Sequence, residues 1–129
     1  MGKKILVVDD DNAVRKSISA ALRLKGGFET LEAEDGLVGL ELAKQHHPDL
    51  IISDVNMKNL NGYRMLETLK ERKETADIPI IMMTIDEQIY KEWKTGATVE
   101  YLSKGFTLDI LLEKVNSIIN IKPKSELIP

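Results

Sequence analysis

Short apolar runs recur along this chain, each followed by a longer segment whose apolar residues repeat at helical spacing, and that alternation admits few architectures. Strands joined through helices pair in parallel, because each crossover returns the chain to the same end of the sheet. Ile5-Leu6-Val7-Val8 is the first run, continuous rather than alternating, as suits a strand buried on both faces. Val14, Ile18, Ala21 and Leu22 follow at helical spacing, with Asn12 as the expected N-cap and Gly26-Gly27 as the stop. The alternation continues with a strand over Phe28–Ala33, a helix carrying Leu37, Leu40 and Ala43 that ends before Pro48, and a strand over Leu50–Ser53. Past a turn at Asn61-Gly62, Met65, Leu66 and Leu69 mark a third helix. Pro79–Met83 predicts a fourth strand, Gln88–Lys94 a short helix and Tyr101-Leu102 a weaker fifth strand. Thr107 is placed to cap a last helix whose stripe is Leu108, Leu111, Leu112, Val115, Ile118 and Ile119. The expected fold is α/β: a doubly wound five-stranded parallel sheet flanked by five helices.

Composition narrows what such a fold can do. With 129 residues the chain has room for one domain, expected over 1–121, followed by a polar tail or linker start at 122–129 with two prolines. It holds no cysteine, which excludes a disulfide framework, thiol catalysis and a cysteine zinc site. Lys+Arg 18 against Asp+Glu 21 gives a net charge of -3, without the basic footprint that nucleic-acid binding relies on, so direct DNA contact by this domain is not expected. No apolar run approaches the ~20 residues of a membrane span. The opening Met1-Gly2-Lys3-Lys4 runs into too short an apolar stretch for a secretory signal, and a cytoplasmic location is the expectation. Neither GxGxxG nor a Walker-type glycine loop is present.

In an open parallel sheet, functional groups collect at the carboxyl ends of the strands. Here the first strand ends in Asp9-Asp10-Asp11, the third in Asp54, the fourth in Thr84 and the fifth in Lys104. Carboxylates converging on one edge raise one another's pKa unless a cation sits between them, and an all-oxygen donor set favours Mg2+. A hydroxyl and an ammonium facing the acids supply donors for an anion. Carboxylate nucleophile, metal, hydroxyl and lysine together are what phosphoryl transfer to an aspartate requires. Each residue alone has a plainer role. Asp54 could cap a turn, Asp9-Asp10-Asp11 could favour a helix N-terminus, and Lys104 could be a solvated charge. Four separate strand ends carrying the four required types outweigh those readings. His46-His47 reads as a solvated helix C-terminus, and Tyr90 and Trp93 as anchors of the short helix.

The runs Ile5-Leu6-Val7-Val8-Asp9-Asp10, Ile51-Ile52-Ser53-Asp54-Val55-Asn56-Met57, Met83-Thr84 and Tyr101-Leu102-Ser103-Lys104-Gly105-Phe106 resemble the receiver domain of two-component response regulators, over about residues 3–121. Glu34-Asp35-Gly36 and Gly96-Ala97 add to the resemblance. It implies a flavodoxin-like sheet of order 2-1-3-4-5, with Asp54 accepting a phosphoryl group from a sensor histidine kinase or phosphotransfer protein. It also implies Mg2+ held by Asp10, Asp54 and the carbonyl of Asn56, with Asp9 acting through water. Thr84 and Lys104 would contact the phosphoryl oxygens, and Tyr101 would be the aromatic switch. Such a protein catalyses only its own phosphorylation and dephosphorylation. Its output surface, and a possible homodimer face, would be formed by the fourth helix, fifth strand and fifth helix.

Several residues depart from the family pattern. Lys58 stands where a proline is usual and brings a cation near the pocket. Lys104-Gly105 replaces Lys-Pro, and a trans peptide is expected because a cis bond to a non-proline residue costs ~2.5–4 kcal/mol. Ile85 occupies a position usually held by a small residue, so it should narrow access to Asp54 and slow both reaction with small donors and loss of the phosphoryl group. Only 11 residues separate Thr84 from Gly96, about three fewer than usual and nearly one helical turn, which predicts a shortened fourth helix. Two other readings compete. One is a small haloacid-dehalogenase-type phosphatase with Asp9 as nucleophile. The other is a degenerate receiver acting as a phosphorylation-independent scaffold.

Overall fold

The computed structural model describes residues 2–84 and 99–119. The expected short helix at 88–94, with Tyr90 and Trp93, and the position of Ile85 lie outside them. Strands β1 (Lys4–Val8), β2 (Glu29–Ala33), β3 (Leu50–Asp54), β4 (Ile80–Thr84) and β5 (Val99–Ser103) form one parallel sheet in the order β2-β1-β3-β4-β5. Of the five helices expected, four lie among the described residues: α1 (Asn12–Leu24), α2 (Gly36–His46), α3 (Gly62–Glu71) and α4 (Leu108–Ile119).

Successive side chains of a strand point to opposite faces, so each strand feeds two cores. Leu6, Val8, Ile51, Ile80 and Met82 pack beneath α2 and α3, which close that layer with Ala43, Met65 and Leu69. Ile5, Val7, Leu50, Ile52, Ile81 and Met83 pack on the other face, closed by Ile18 and Leu22 of α1 and Leu111 and Val115 of α4. Every residue of β3 and β4 is buried, which is why these strands show no polar alternation.

The helix ends correct three expectations. Asn12 is not the N-cap of α1. Asp11 is, with extended backbone and a side-chain oxygen that accepts from the N–H groups of Ala13 (2.9 Å) and Val14 (3.1 Å). A carboxylate suits that position better than an amide because its charge also meets the positive end of the helix dipole. The buried face of α1 runs through Arg15, Ile18, Ser19 and Leu22, leaving Val14 37% exposed. Leu37 and Leu108, read as parts of apolar stripes, are likewise exposed, because both occupy first helical turns at the carboxyl edge of the sheet. Elsewhere the caps follow the sequence. His47 ends α2 in the left-handed conformation (φ 46°), its N–H donating to Ala43 O, and Ile110 N–H donates to Thr107 Oγ1 at 3.2 Å at the start of α4. The Lys104-Gly105 peptide is trans, and Gly105 adopts φ 103°, a conformation open to glycine at little cost.

Candidate functional site

The chain leaves β1 toward one edge of the sheet and β3 toward the other, so a crevice opens between their carboxyl ends. Asp9 directly follows β1 and Asp54 is the last residue of β3. Asp9, Asp10 and Asp54 each bring one carboxylate oxygen to within 4.8 Å of the others. Asp9 and Asp54 are buried, whereas Asp10 is open to solvent. Asp9 Oδ1 accepts the Asp11 N–H at 2.9 Å, while its Oδ2 is buried without a hydrogen-bond partner among the described residues. A buried carboxylate oxygen without a partner is costly, and here it lies among two further acids. Three converging carboxylates with one such oxygen fit a hard divalent cation.

Burial, more than like charge, raises the Asp9 pKa. The Asp11 N–H pulls it down, Asp54 and Asp10 push it up, and Lys104 opposes them. The sequence led us to expect mutual repulsion as the main cause, and it is a secondary one. Asp54 Oδ1 accepts from the Val55 N–H at 2.8 Å and from Lys104 Nζ at 2.9 Å. Burial works against the charge of Lys104, but the hydrogen bond and attraction of Asp54, with the fields of Asp9 and Asp10, outweigh it and hold the pKa above the usual lysine value. The Lys104 N–H donates to Thr84 O at 2.8 Å, which ties the lysine to the end of β4. Thr84 itself is buried and pairs in register with Ser103.

The remaining candidates are more spread out. Asn56 and Lys58 are exposed in the loop between β3 and α3. Tyr101 is 5% exposed and packs in the core beneath α2 and α3. Beside Lys104, a cavity of about 360 Å³ opens between α1 and the loop before α4, lined largely by apolar groups such as Val14, Ile18, Phe106 and Leu108.

Two arrangements escaped the sequence. Asn59, at φ 66°, donates through Nδ2 to Asp35 Oδ2 at 2.6 Å, while Asp35 Oδ1 accepts the Val38 N–H at 2.9 Å and caps α2. The loop after β3 is thus tied to the start of α2. Gly36 belongs to the same junction, since a Cβ there would stand 2.1 Å from Leu60 O. The second is Arg15, 8% exposed, whose guanidinium donates to Asp9 O, Glu32 and Asn12. Its spacing of three from Ile18 and seven from Leu22 was the available signal, since those positions share one helical face.

The model of the response regulator receiver domain matches residues 5–116. Protein PilH of Pseudomonas aeruginosa is 35% identical over 118 residues, which cover 90% of this chain and 97% of PilH. The DNA-binding dual master transcriptional regulator RpaA of Synechocystis is 34% identical over 119 residues, 90% of this chain but 48% of RpaA, so the chain spans about half of that relative. Among solved structures, the chemotaxis response regulator CheY4 of Vibrio cholerae superposes with a TM-score of 0.82 at 30% identity, covering 92% of this chain and 99% of that one. The receiver domain of sensor histidine kinase PA1611 from Pseudomonas aeruginosa, with magnesium coordinated in its active-site cleft, gives 0.84 at 26% identity over 94% and 100%. The family match spans the sheet and nearly all of its helices, and the fold agrees with it: this chain belongs to the response regulator receiver domain family, the phosphoryl-accepting signalling modules of two-component systems.

Proposed function

We propose that Asp54 is the phosphoacceptor, taking a phosphoryl group from a phosphohistidine of a sensor histidine kinase or phosphotransfer protein. The observation that carries this is the pairing of Asp54 with Lys104 at 2.9 Å, within an edge that also holds Asp9 and Asp10. An Asp54 carboxylate oxygen forms the new bond to phosphorus as the phosphorus–nitrogen bond of the donor breaks, and the donor imidazole keeps the electron pair. Lys104 then turns from the carboxylate to the phosphoryl oxygens, its charge secured by the acids around it. Thr84, at the end of the adjoining strand, supplies a hydroxyl to the same oxygens, and Tyr101 follows its movement. Asp10, Asp54 and the Asn56 carbonyl would hold Mg2+ directly and Asp9 would hold it through water, and the ion would supply charge neutralisation for the incoming group. Lys58, exposed in the loop after β3, tunes the rate of the donor's approach.

The apolar cavity beside Lys104 gives a donor protein a surface to cover while it reaches Asp54. Output passes through the β5 and α4 side, where Ile110 is 48% exposed, to a partner or to a second copy of the chain. The chain acts on no separate substrate. The phosphatase reading is weaker, because it leaves the Asp54–Lys104 pair without a role and the receiver domain family matches residues 5–116. Phosphotransfer from a panel of kinases tests the assignment: label should appear on the parent and vanish in Asp54→Asn, and beryllofluoride with Mg2+ should form its adduct at Asp54. Label retained by the variant, or an adduct at Asp9, would overturn it.

A further inference from the structure

We propose that Arg15 is a positioning residue for the divalent cation, acting through the backbone of Asp9; this rests on the Mg2+ site proposed above. Arginine is rarely buried unless its donors are met, and here they are met by three different segments. Nη1 donates to Asp9 O at 2.8 Å, Nε to Glu32 Oε1 on β2 at 3.0 Å, and Nη2 to Asn12 Oδ1 on its own helix. The carbonyl that Arg15 holds belongs to the peptide between Asp9 and Asp10, and the tilt of that peptide decides where both carboxylates point.

Asp9 is steadied from two other sides, by its N–H on Ala33 O (3.1 Å) and by the Asp11 N–H on its Oδ1 (2.9 Å). Together with the Arg15 bond these leave Oδ2 as the Asp9 oxygen without a hydrogen-bond partner among the described residues, in a residue that brings one carboxylate oxygen within 4.8 Å of those of Asp10 and Asp54. Arg15 bonds the backbone carbonyl of Asp9 and not its carboxylate. Its influence is geometric, and Glu32, anchored in register opposite Val7, fixes the far end of the fork. Outer-shell partners of this kind typically carry about 10–100-fold in metal affinity.

The test is Mn2+ binding to the full chain by electron paramagnetic resonance, with Mg2+ competition, for the parent, Arg15→Met, Arg15→Lys and Glu32→Gln. Arg15→Met should weaken binding by about tenfold or more. Arg15→Lys, which keeps the charge but not the fork, should also weaken it, and Glu32→Gln by less. Metal-free melting is recorded in parallel, since a merely structural role would lower it while leaving the affinity of the folded protein unchanged. Parent-like affinity in both arginine variants overturns the inference, and if Arg15→Met does not fold, Arg15→Lys decides alone. Absence of binding by the parent would instead overturn the cation site itself, and this inference with it.

Discussion

Asp9 is the residue at which stability and function pull apart. Burial raises its pKa, so its charged form is disfavoured in the metal-free fold at neutral pH, and Asp54 and Asp10 add to that cost. Asp9→Asn, which keeps the shape and removes the charge, should therefore raise the metal-free melting temperature at neutral pH. It should also remove most of the stabilisation that Mg2+ gives the parent, about 2.7 kcal/mol at a hundredfold excess over Kd. Calorimetry with and without Mg2+ checks both halves, and a variant that melts below the parent in chelator would show that the buried charge is already compensated. At this scale the acids and Lys104 were legible because each ends a recognisable apolar run. Arg15 was not, since hydrophobic periodicity assigns a charged residue to solvent and cannot show that three acceptors await it. The choice of Asp11 over Asn12 as helix cap was equally hidden, because either residue type can fill the position and only the backbone angle decides.

Among the elements, the junction of α2 with the loop after β3 is held by one carboxylate with two tasks. Asp35 caps α2 through Val38 and holds Asn59 in its left-handed conformation, and both bonds favour the ionised form. The Val38 N–H is the main cause of its lowered pKa, burial opposes it, and Asn59 assists. The sign follows directly. Because the folded pKa lies below the unfolded value near 3.8, this stabilisation is present above that value and is lost as pH falls through the folded one. Asp35→Ala should cost about 1–2 kcal/mol at neutral pH, the usual loss for an N-cap with a further bond. The difference in melting temperature between parent and Asp35→Asn should shrink on acidification below about pH 4. Amide exchange at Asn59 and Leu60 should accelerate in both variants, and unchanged exchange would mean that the loop is held by other contacts. Asp35 was legible as part of Glu34-Asp35-Gly36. Its bond to Asn59 was not, because 24 residues separate the two and no local pattern encodes the pairing. Strand ends also moved by a residue or two, most at β5, where Glu100, Leu102 and Ser103 are not fully buried and blur the apolar run.

At the scale of the whole molecule, the parallel sheet was legible in the uniform alternation of strand and helix, whereas its order came from the resemblance to receiver domains, and the structure agrees with both. Which helices share a face was not read, yet it decides how the site is supported. Lys104 lies in the loop between β5 and α4, so its placement depends on α4 being seated against the same core as α1. Leu111 is fully buried in that core, whereas its neighbour in sequence, Ile110, turns to the other side of the helix and is 48% exposed. Leu111→Ala should cost about 2–5 kcal/mol through lost burial and the cavity left behind, a large share of the ~5–15 kcal/mol that holds a domain folded. Ile110→Ala should stay within about 0.5 kcal/mol. Urea unfolding distinguishes the two. Comparable small losses at both positions would mean that α4 rests on the sheet without being part of the core, and Lys104 would then be held by its contacts with Asp54 and Thr84 alone.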